Sequence, residues 1–180
     1  MKIEVVAYRK EWVAQFTSER ERLKAALPIA FLQIFHIGST SVKGLAAKPI
    51  IDLLLVVDNL QDLDDHQVIF EQLGYEVCGE FGIPGRRYYR KGGDQRTHQI
   101  HAFAYNNLYE IERHLAVRDY LRTHTNAVAR YAAVKRAVAE FSGNDIEKYG
   151  DFKETFVKQL EEAAIKWRLQ IKANNEGHQL

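Results

Sequence analysis

The spacing of apolar residues along the chain predicts a first half built on a β-sheet. In residues 10–27 apolar side chains recur at helical intervals, and Pro28 ends that helix. Residues 50–57 are apolar on both faces except at Asp52, which is typical of a central buried strand. A strand or extended lead-in is expected at residues 3–7, a helix at 61–73, and further strands at 32–37, 75–81, 86–91 and 100–105.

The second half of the chain is predicted to be helical. No proline follows Pro84, glycines become sparse, and apolar positions recur at helical spacing. Helices are expected at residues 109–123, 126–141 and 146–172. We therefore predict an α+β fold, with a mixed sheet and flanking helices over residues 1–107. A C-terminal helical bundle over residues 108–180 is expected to pack on this sheet as part of one compact unit.

Composition narrows the class of protein. The 180 residues, 46% of them hydrophobic, are enough for one sizeable core. Twenty-five basic and 24 acidic residues give a net charge of +1, which gives no support for an extended nucleic-acid surface. The single cysteine, Cys78, excludes an internal disulfide framework. Neither a signal-peptide core nor an apolar run of membrane-spanning length occurs, so we expect a cytoplasmic protein without a membrane partner.

One turn combines features that suit a phosphate ligand. Residues 36–41 read as the end of a strand followed by Gly38 and Ser39. Glycine lets the backbone approach a ligand closely, and the N–H groups of such a turn, including that of Thr40, can hold phosphate oxygens. Asp52 follows on the next strand, where an acid is costly unless it is paired or bound to a metal. Taken alone the segment is also compatible with an ordinary turn, but the acid favours a phosphate-and-metal site.

The residues around this turn carry a family resemblance. Twelve residues separate Ile37-Gly38-Ser39 from Asp52-Leu53-Leu54. The other matching positions are residues 40–42, 44–45, 47–51, 98–101 and 118–124, Tyr131 with Lys135, and Tyr149 with Lys153 and Phe156. In these features, over about residues 5–167, the chain resembles the GrpB family of the nucleotidyltransferase superfamily of DNA polymerase beta type. It departs from the family pattern at Lys43, where proline is usual.

The resemblance implies a nucleotidyltransferase-like fold and a metal-dependent nucleotidyltransferase. Such an enzyme would use a nucleoside triphosphate, a divalent cation such as Mg²⁺ or Mn²⁺ and a small-molecule acceptor, with Asp52 as catalytic residue and metal ligand. The superfamily's second carboxylate belongs two residues further on the same strand face, where this chain has Leu54. His101, on a strand expected beside Asp52, could replace it as a metal ligand and would suit Mn²⁺ or Zn²⁺. His98, three residues earlier, should face the opposite side.

Because Leu54 stands where the second carboxylate is expected, a second interpretation stays open. The chain could be a catalytically degenerate module that binds a nucleotide or phosphate. A link to coenzyme A metabolism is implied by the resemblance to a domain appended to some dephospho-coenzyme A kinases. A third interpretation is a small interaction protein whose polar cleft is a relic. The acceptor, the preferred base and the oligomeric state are not determined by these patterns.

Basic residues in the first half are candidates for phosphate binding. Arg86 and Arg90 alternate on one face of a predicted strand together with Tyr88, and guanidinium groups bind phosphate in bidentate fashion. The alternative is that these charges protect an edge strand. Lys48, before Pro49, is either a phosphate contact or a solvated loop lysine.

Two tyrosine–lysine pairs in the helical half extend the candidate site. Tyr131 with Lys135, and Tyr149 with Lys153, are four residues apart and share a helix face. These faces could line a cleft against the sheet, stack on a base and hold phosphates. The alternative is a lysine stem lying over an exposed tyrosine.

Overall fold

A five-stranded mixed sheet forms the centre of the molecule. The computed structural model describes the backbone of residues 4–141 and 146–176, and the side chains of residues 4–138 and 155–172. The strands are β1 (Phe31–Ile37), β2 (Ile51–Val57), β3 (Tyr75–Val77), β4 (Arg86–Lys91) and β5 (His98–Ala104). Their spatial order is β1-β2-β5-β4-β3, in which β2 and β5 are parallel and the other neighbours are antiparallel. The predicted α+β fold is confirmed.

Helices cover both faces of this sheet. They are α1 (Glu11–Ala26), α2 (Leu60–Asp64), α3 (Gln67–Gln72), α4 (Leu108–Thr123), α5 (Thr125–Phe141) and α6 (Ile146–Glu176). The single helix predicted over residues 61–73 is interrupted, and at the break Nδ1 of His66 lies 2.7 Å from the Asp62 carbonyl oxygen. The strand predicted over residues 75–81 ends at Val77, because backbone with positive φ follows and does not continue a strand.

One face of the sheet carries the main apolar core. Alternate residues of β2 and β5 point to this side, and α1, α2 and α3 cover them. Core members with at most 1% exposure include Trp12, Leu23, Leu53, Leu63, Phe70 and Ile100. Because this face is closed by apolar packing, the intervening residues of the same strands, Asp52 and His101 among them, project to the opposite side.

Helix α4 packs on that opposite face. Leu54 of β2 and Phe103 of β5 pack there against Ile111 and Leu115 of α4. Asp52 lies on the same face, nearer the start of β2, where polar side chains of β4 and β5 adjoin it. The sheet therefore holds a polar surface next to an apolar cluster that fixes its position.

The segment between β1 and β2 joins the sheet to the helical part. Val42 and Leu45 are almost fully buried against Leu121 of α4, Tyr131 of α5 and Leu160 of α6. This packing places the turn after β1 where α4 and α5 can contact it. Within the described ranges, every helix is too short or too polar to be a candidate for crossing a membrane.

Candidate functional site

Gly38 lies directly against the Asp52 carboxylate. Ile37 at the end of β1 pairs with Asp52 in antiparallel register. Gly38 follows with φ 69° and ψ −174°, a conformation that is essentially restricted to glycine. A Cβ at this position would overlap Oδ2 of Asp52 and lie 3.0 Å from both Cβ and Cγ of that residue. Glycine is needed at position 38 because a side chain there would prevent the turn from approaching the Asp52 carboxylate.

The remainder of the turn is fixed by internal hydrogen bonds. Residues Ser39–Ser41 form one 3₁₀ turn, in which Ser41 Oγ donates to the Gly38 carbonyl oxygen at 2.6 Å. Thr40 is buried, and its hydroxyl donates to the Ile50 carbonyl oxygen at 3.1 Å. Gly38 is exposed and Ser39 is half-buried, so these two residues are the accessible part of the turn.

Strand β5 brings two polar side chains to Asp52. Gln99 is its direct neighbour in the parallel register, and with its amide nitrogen turned toward the acid it donates to Oδ1 at 3.0 Å. His101 follows on the same face, with Nε2 3.9 Å from Oδ1. The Asp52 and His101 side chains keep 23% and 17% exposure, so a ligand can reach both. His98 is on the other face, as predicted.

Gln99 was missed by sequence reasoning. It lies two residues before His101, so period-two alternation along a strand starting at His98 would have placed it beside Asp52. The predicted strand began at residue 100 and left it out. Its amide is also joined, in the same orientation, to Arg96 Nη1 and the Tyr88 hydroxyl, each at 3.2 Å.

The two arginines of β4 share a face but have different partners. Arg86 is buried, with Nη2 donating to the Phe81 carbonyl oxygen at 2.7 Å and Nη1 3.4 Å from Nδ1 of His101. Burial lowers the pKa of this guanidinium from its ordinary value. Arg90 is ion-paired with Glu76, with Nε donating at 3.0 Å. Arg86 therefore stands next to the Asp52–His101 pair, whereas Arg90 is directed at Glu76.

Helices α4 and α5 contribute three cations that contact the turn segment. Lys135 is 2% exposed, and its Nζ donates to Ser39 Oγ at 2.8 Å and to the Ala46 carbonyl oxygen at 2.6 Å. Arg122 donates through Nε and Nη2 to the Ser41 carbonyl oxygen at 3.1 and 2.9 Å. Arg118 Nη1 lies 3.4 Å from the His36 carbonyl oxygen. Charged donors on these helices thus hold the backbone of the turn from outside the sheet.

The remaining candidates lie around this centre. Tyr131 is buried, stacked on Phe156 with ring centroids 5.4 Å apart, and the Lys135 ammonium is 4.2 Å from its ring. Lys48 is half-buried and lines a surface cleft. The side chains of Tyr149 and Lys153 lie outside the described residues.

Two histidines near the site are held neutral. His36 stacks on Phe16 with centroids 4.7 Å apart, and burial lowers its pKa to about 4, although Asp52 opposes the shift. His114 of α4 lies 5.2 Å from His101, ring centre to ring centre, and burial together with His101 and Arg113 lowers its pKa to about 3. Burial in low dielectric favours the uncharged imidazole in both.

Few side chains that could act as metal ligands lie around Asp52. Among the described residues there is no group of three or more His, Cys, Asp or Glu side chains that could hold an ion. Leu54, at the position of the expected second carboxylate, is fully buried in the apolar cluster under α4. One carboxylate and one imidazole remain. This set fits a single cation whose coordination a ligand completes, and it does not fit a pair of cations.

Comparison with known proteins identifies the family. A family model described as GrpB protein matches residues 2–163. The chain belongs to the GrpB family. YqkA of Bacillus subtilis (strain 168), a UPF0157 protein, is 41% identical over 167 residues, which are 93% of this chain and 48% of YqkA. A dephospho-CoA kinase of Mycolicibacterium paratuberculosis (strain K-10) is 28% identical over 182 residues, covering 87% of this chain and 44% of the kinase. The GrpB-family chain thus spans about half the length of these relatives.

Solved structures show which fold this chain shares with other proteins. The crystal structure of GrpB from Enterococcus faecalis superimposes with a TM-score of 0.88 and 44% identity, covering 92% of this chain and 99% of the other. Cid1 poly(U) polymerase with Mg 3′-dATP bound gives a TM-score of 0.52 at 16% identity, over 82% of this chain and 49% of Cid1. This second likeness shows the fold alone, and the fold is nucleotidyltransferase-like as the resemblance implied.

Proposed function

We propose that this protein binds a nucleoside polyphosphate at the surface formed by Gly38, Ser39, Asp52 and His101. The observation that carries the proposal is the seating of Gly38 on the Asp52 carboxylate, beside His101. A backbone turn that can approach phosphate oxygens and an acid that can hold a cation thereby share one exposed face. The fold of a nucleotide-using neighbour supports the same ligand class.

A divalent cation would offset the repulsion between Asp52 and a bound polyphosphate. Asp52 is negative, so a polyphosphate next to it is repelled unless a cation lies between them. Asp52 and His101 would hold that cation, and ligand phosphate oxygens would complete its coordination. Because one of the two donors is an imidazole, we expect Mn²⁺ to support binding better than Mg²⁺. Arg86, next to His101, adds a fixed positive charge on the same side.

Nucleotidyl transfer is a second candidate activity. Asp52 supports it, since a carboxylate that holds a divalent cation beside the phosphates is also what nucleotidyl transfer requires. Leu54 opposes it, because the second carboxylate that would complete a two-cation centre is replaced by a side chain packed against α4. We therefore place binding before catalysis. The GrpB-like stretch of the dephospho-CoA kinase supports adding dephospho-coenzyme A to the set of ligands tested.

Titration calorimetry tests the proposal. ATP, GTP, CTP and UTP are titrated in Mn²⁺, in Mg²⁺ and in EDTA, against wild type and Asp52→Asn. Asp58→Asn is the matched control, since Asp58 is exposed just beyond the other end of β2. We expect Mn²⁺-dependent binding in wild type and Asp58→Asn and its loss in Asp52→Asn.

Other results of this titration separate the alternatives. Binding that is equal in EDTA and survives Asp52→Asn contradicts a cation at Asp52. The absence of binding for every nucleotide contradicts the proposed function. Formation of a nucleotidylated acceptor together with an equal amount of pyrophosphate from the triphosphate would establish the transferase candidate.

A further inference from the structure

Phe81 is an exposed aromatic residue in an unusual backbone conformation. It lies in the loop between β3 and β4, with 59% of its surface exposed and φ 45°. Among the described residues it is the one non-glycine with positive φ. Bulky side chains rarely adopt this conformation, and residues that do so persist where the surroundings hold them in place.

Contacts from the sheet side hold the Phe81 ring. It stacks on Tyr88 with centroids 5.2 Å apart and an interplanar angle of 28°, and Arg90 Cζ lies 5.2 Å from its centre. Tyr88 and Arg90 are two residues apart on β4 and therefore project from the same face of the sheet. Both residues contact the ring, yet 59% of the Phe81 surface remains exposed.

The loop is joined to the proposed nucleotide site by one guanidinium group. Arg86 donates from Nη2 to the Phe81 carbonyl oxygen at 2.7 Å, and its Nη1 lies 3.4 Å from His101 Nδ1. The rings form a row in the same direction, since Tyr88 lies 5.2 Å from His101, centroid to centroid. Phe81 is therefore the outer end of an aromatic row whose inner end, His101, adjoins Asp52.

Tyr131 offers no comparable surface. It is the other aromatic candidate for base stacking whose side chain is described, and it is buried against Phe156. An exposed ring that is stacked on a second ring suits a planar ligand, because every nucleic-acid base has a π-face that stacks on aromatic side chains.

We propose that Phe81 is the base-stacking residue of the nucleotide site, so that the protein prefers ligands with an aromatic base over simple polyphosphates. This inference rests on the proposed function. Stacking is tolerant of base identity, so the preference is for the presence of a base rather than for one base. Phosphates would lie at Gly38 and Asp52, and the base would stack on the exposed part of the Phe81 ring.

Two ligands separate base stacking from phosphate binding. ATP and inorganic tripolyphosphate are each titrated with Mn²⁺ into wild type, Phe81→Gly and Phe81→Leu. Glycine adopts positive φ without strain, so Phe81→Gly removes the ring and leaves the loop backbone unstrained. Leu32→Ala is the control, because Leu32 is another exposed apolar residue and lies on β1 at the opposite edge of the sheet.

We expect Phe81→Gly and Phe81→Leu to weaken ATP binding by about tenfold and to leave tripolyphosphate binding unchanged. Leu32→Ala should change neither. If ATP affinity is unaffected in Phe81→Gly, or if tripolyphosphate affinity falls in parallel with it, the stacking role is wrong while the proposed function stands. Full ATP affinity in Phe81→Leu also contradicts stacking. Failure of wild type to bind either ligand overturns both proposals.

Discussion

Gly38 determines how closely the turn can approach Asp52. Its backbone conformation is one that other residues adopt only under strain, and its missing side chain makes room for the carboxylate. The motif around Gly38 pointed to this turn, but the contact with Asp52 depends on the register of β1 against β2, which no pattern in the sequence gives.

Replacing Gly38 by alanine should therefore destabilise the protein. We expect Gly38→Ala to lower the free energy of unfolding by about 1–3 kcal/mol through backbone strain, with an added loss from overlap with Asp52. Gly44→Ala is the control, since Gly44 also has positive φ but has open space where a Cβ would stand. Urea unfolding of both variants measures the difference. Equal losses in the two would show that the contact with Asp52 does not matter.

His36 should make stability depend on pH. Its pKa is about 4 in the folded protein, below the ordinary value of 6.5, so between these values the unfolded chain holds a proton that the folded protein lacks. The folded state is then destabilised as pH falls through that window, by about 1.4 kcal/mol per pH unit for one such group. Burial is the main cause, Arg122 and Arg118 act in the same direction, and Asp52 opposes them.

The variant His36→Gln tests this dependence. Glutamine does not titrate, so the slope of unfolding free energy against pH between 4.5 and 6 should fall by about 1.4 kcal/mol per unit. Unfolding in urea at several pH values gives the slope. An unchanged slope would mean that His36 is not the neutral buried group described.

At the level of elements, α5 helps to position the turn that follows β1. Lys135 spans from α5 to Ser39 and Ala46 and is almost fully buried. The spacing in the sequence places Lys135 and Tyr131 on one helix face, and Lys135 was predicted to bind phosphate. Helical periodicity identifies which residues share a face, but it does not specify what the face contacts, because that depends on how α5 packs on the loop after β1.

Replacement of Lys135 by methionine should loosen this connection. Methionine keeps the length of the stem and loses the donor, so two acceptors lose their charged partner at a cost of roughly 1–3 kcal/mol. We expect lower stability in urea and weaker nucleotide binding. Arg136→Met is the control, at an exposed position one residue later on α5. Wild-type affinity in Lys135→Met would contradict a positioning role.

The strands and helices were largely predictable, and the errors occur where local patterns are weakest. Long segments with helical spacing of apolar residues correctly predicted α1 and α4–α6, and the apolar run around Asp52 correctly predicted β2. The start of β5 was misplaced because His98 and Gln99 are polar, although both lie in the ladder beside β2. Because the predicted strand began one residue after Gln99, this residue was not included among the predicted site residues.

For the whole molecule, the sheet and the helices after it both contribute residues to the candidate site. Asp52, Gln99 and His101 come from the sheet, while Arg118, Arg122 and Lys135 come from the helices and hold the turn. The division at residue 107 stays a prediction, as does the packing of both parts into one unit. The GrpB fold accounts for where the site lies, and the single acid accounts for why binding is proposed before transfer.

The most direct test of the central claim is where a cation binds in the presence of nucleotide. Substoichiometric Mn²⁺ with ATP should broaden the ring proton resonances of His101 first in the NMR spectrum, with His101→Gln giving the assignment. His66, at the break between α2 and α3 on the other side of the sheet, serves as the reference. We predict that this broadening requires ATP and disappears in Asp52→Asn. Broadening of His66 or other histidines with His101 unaffected would contradict the account.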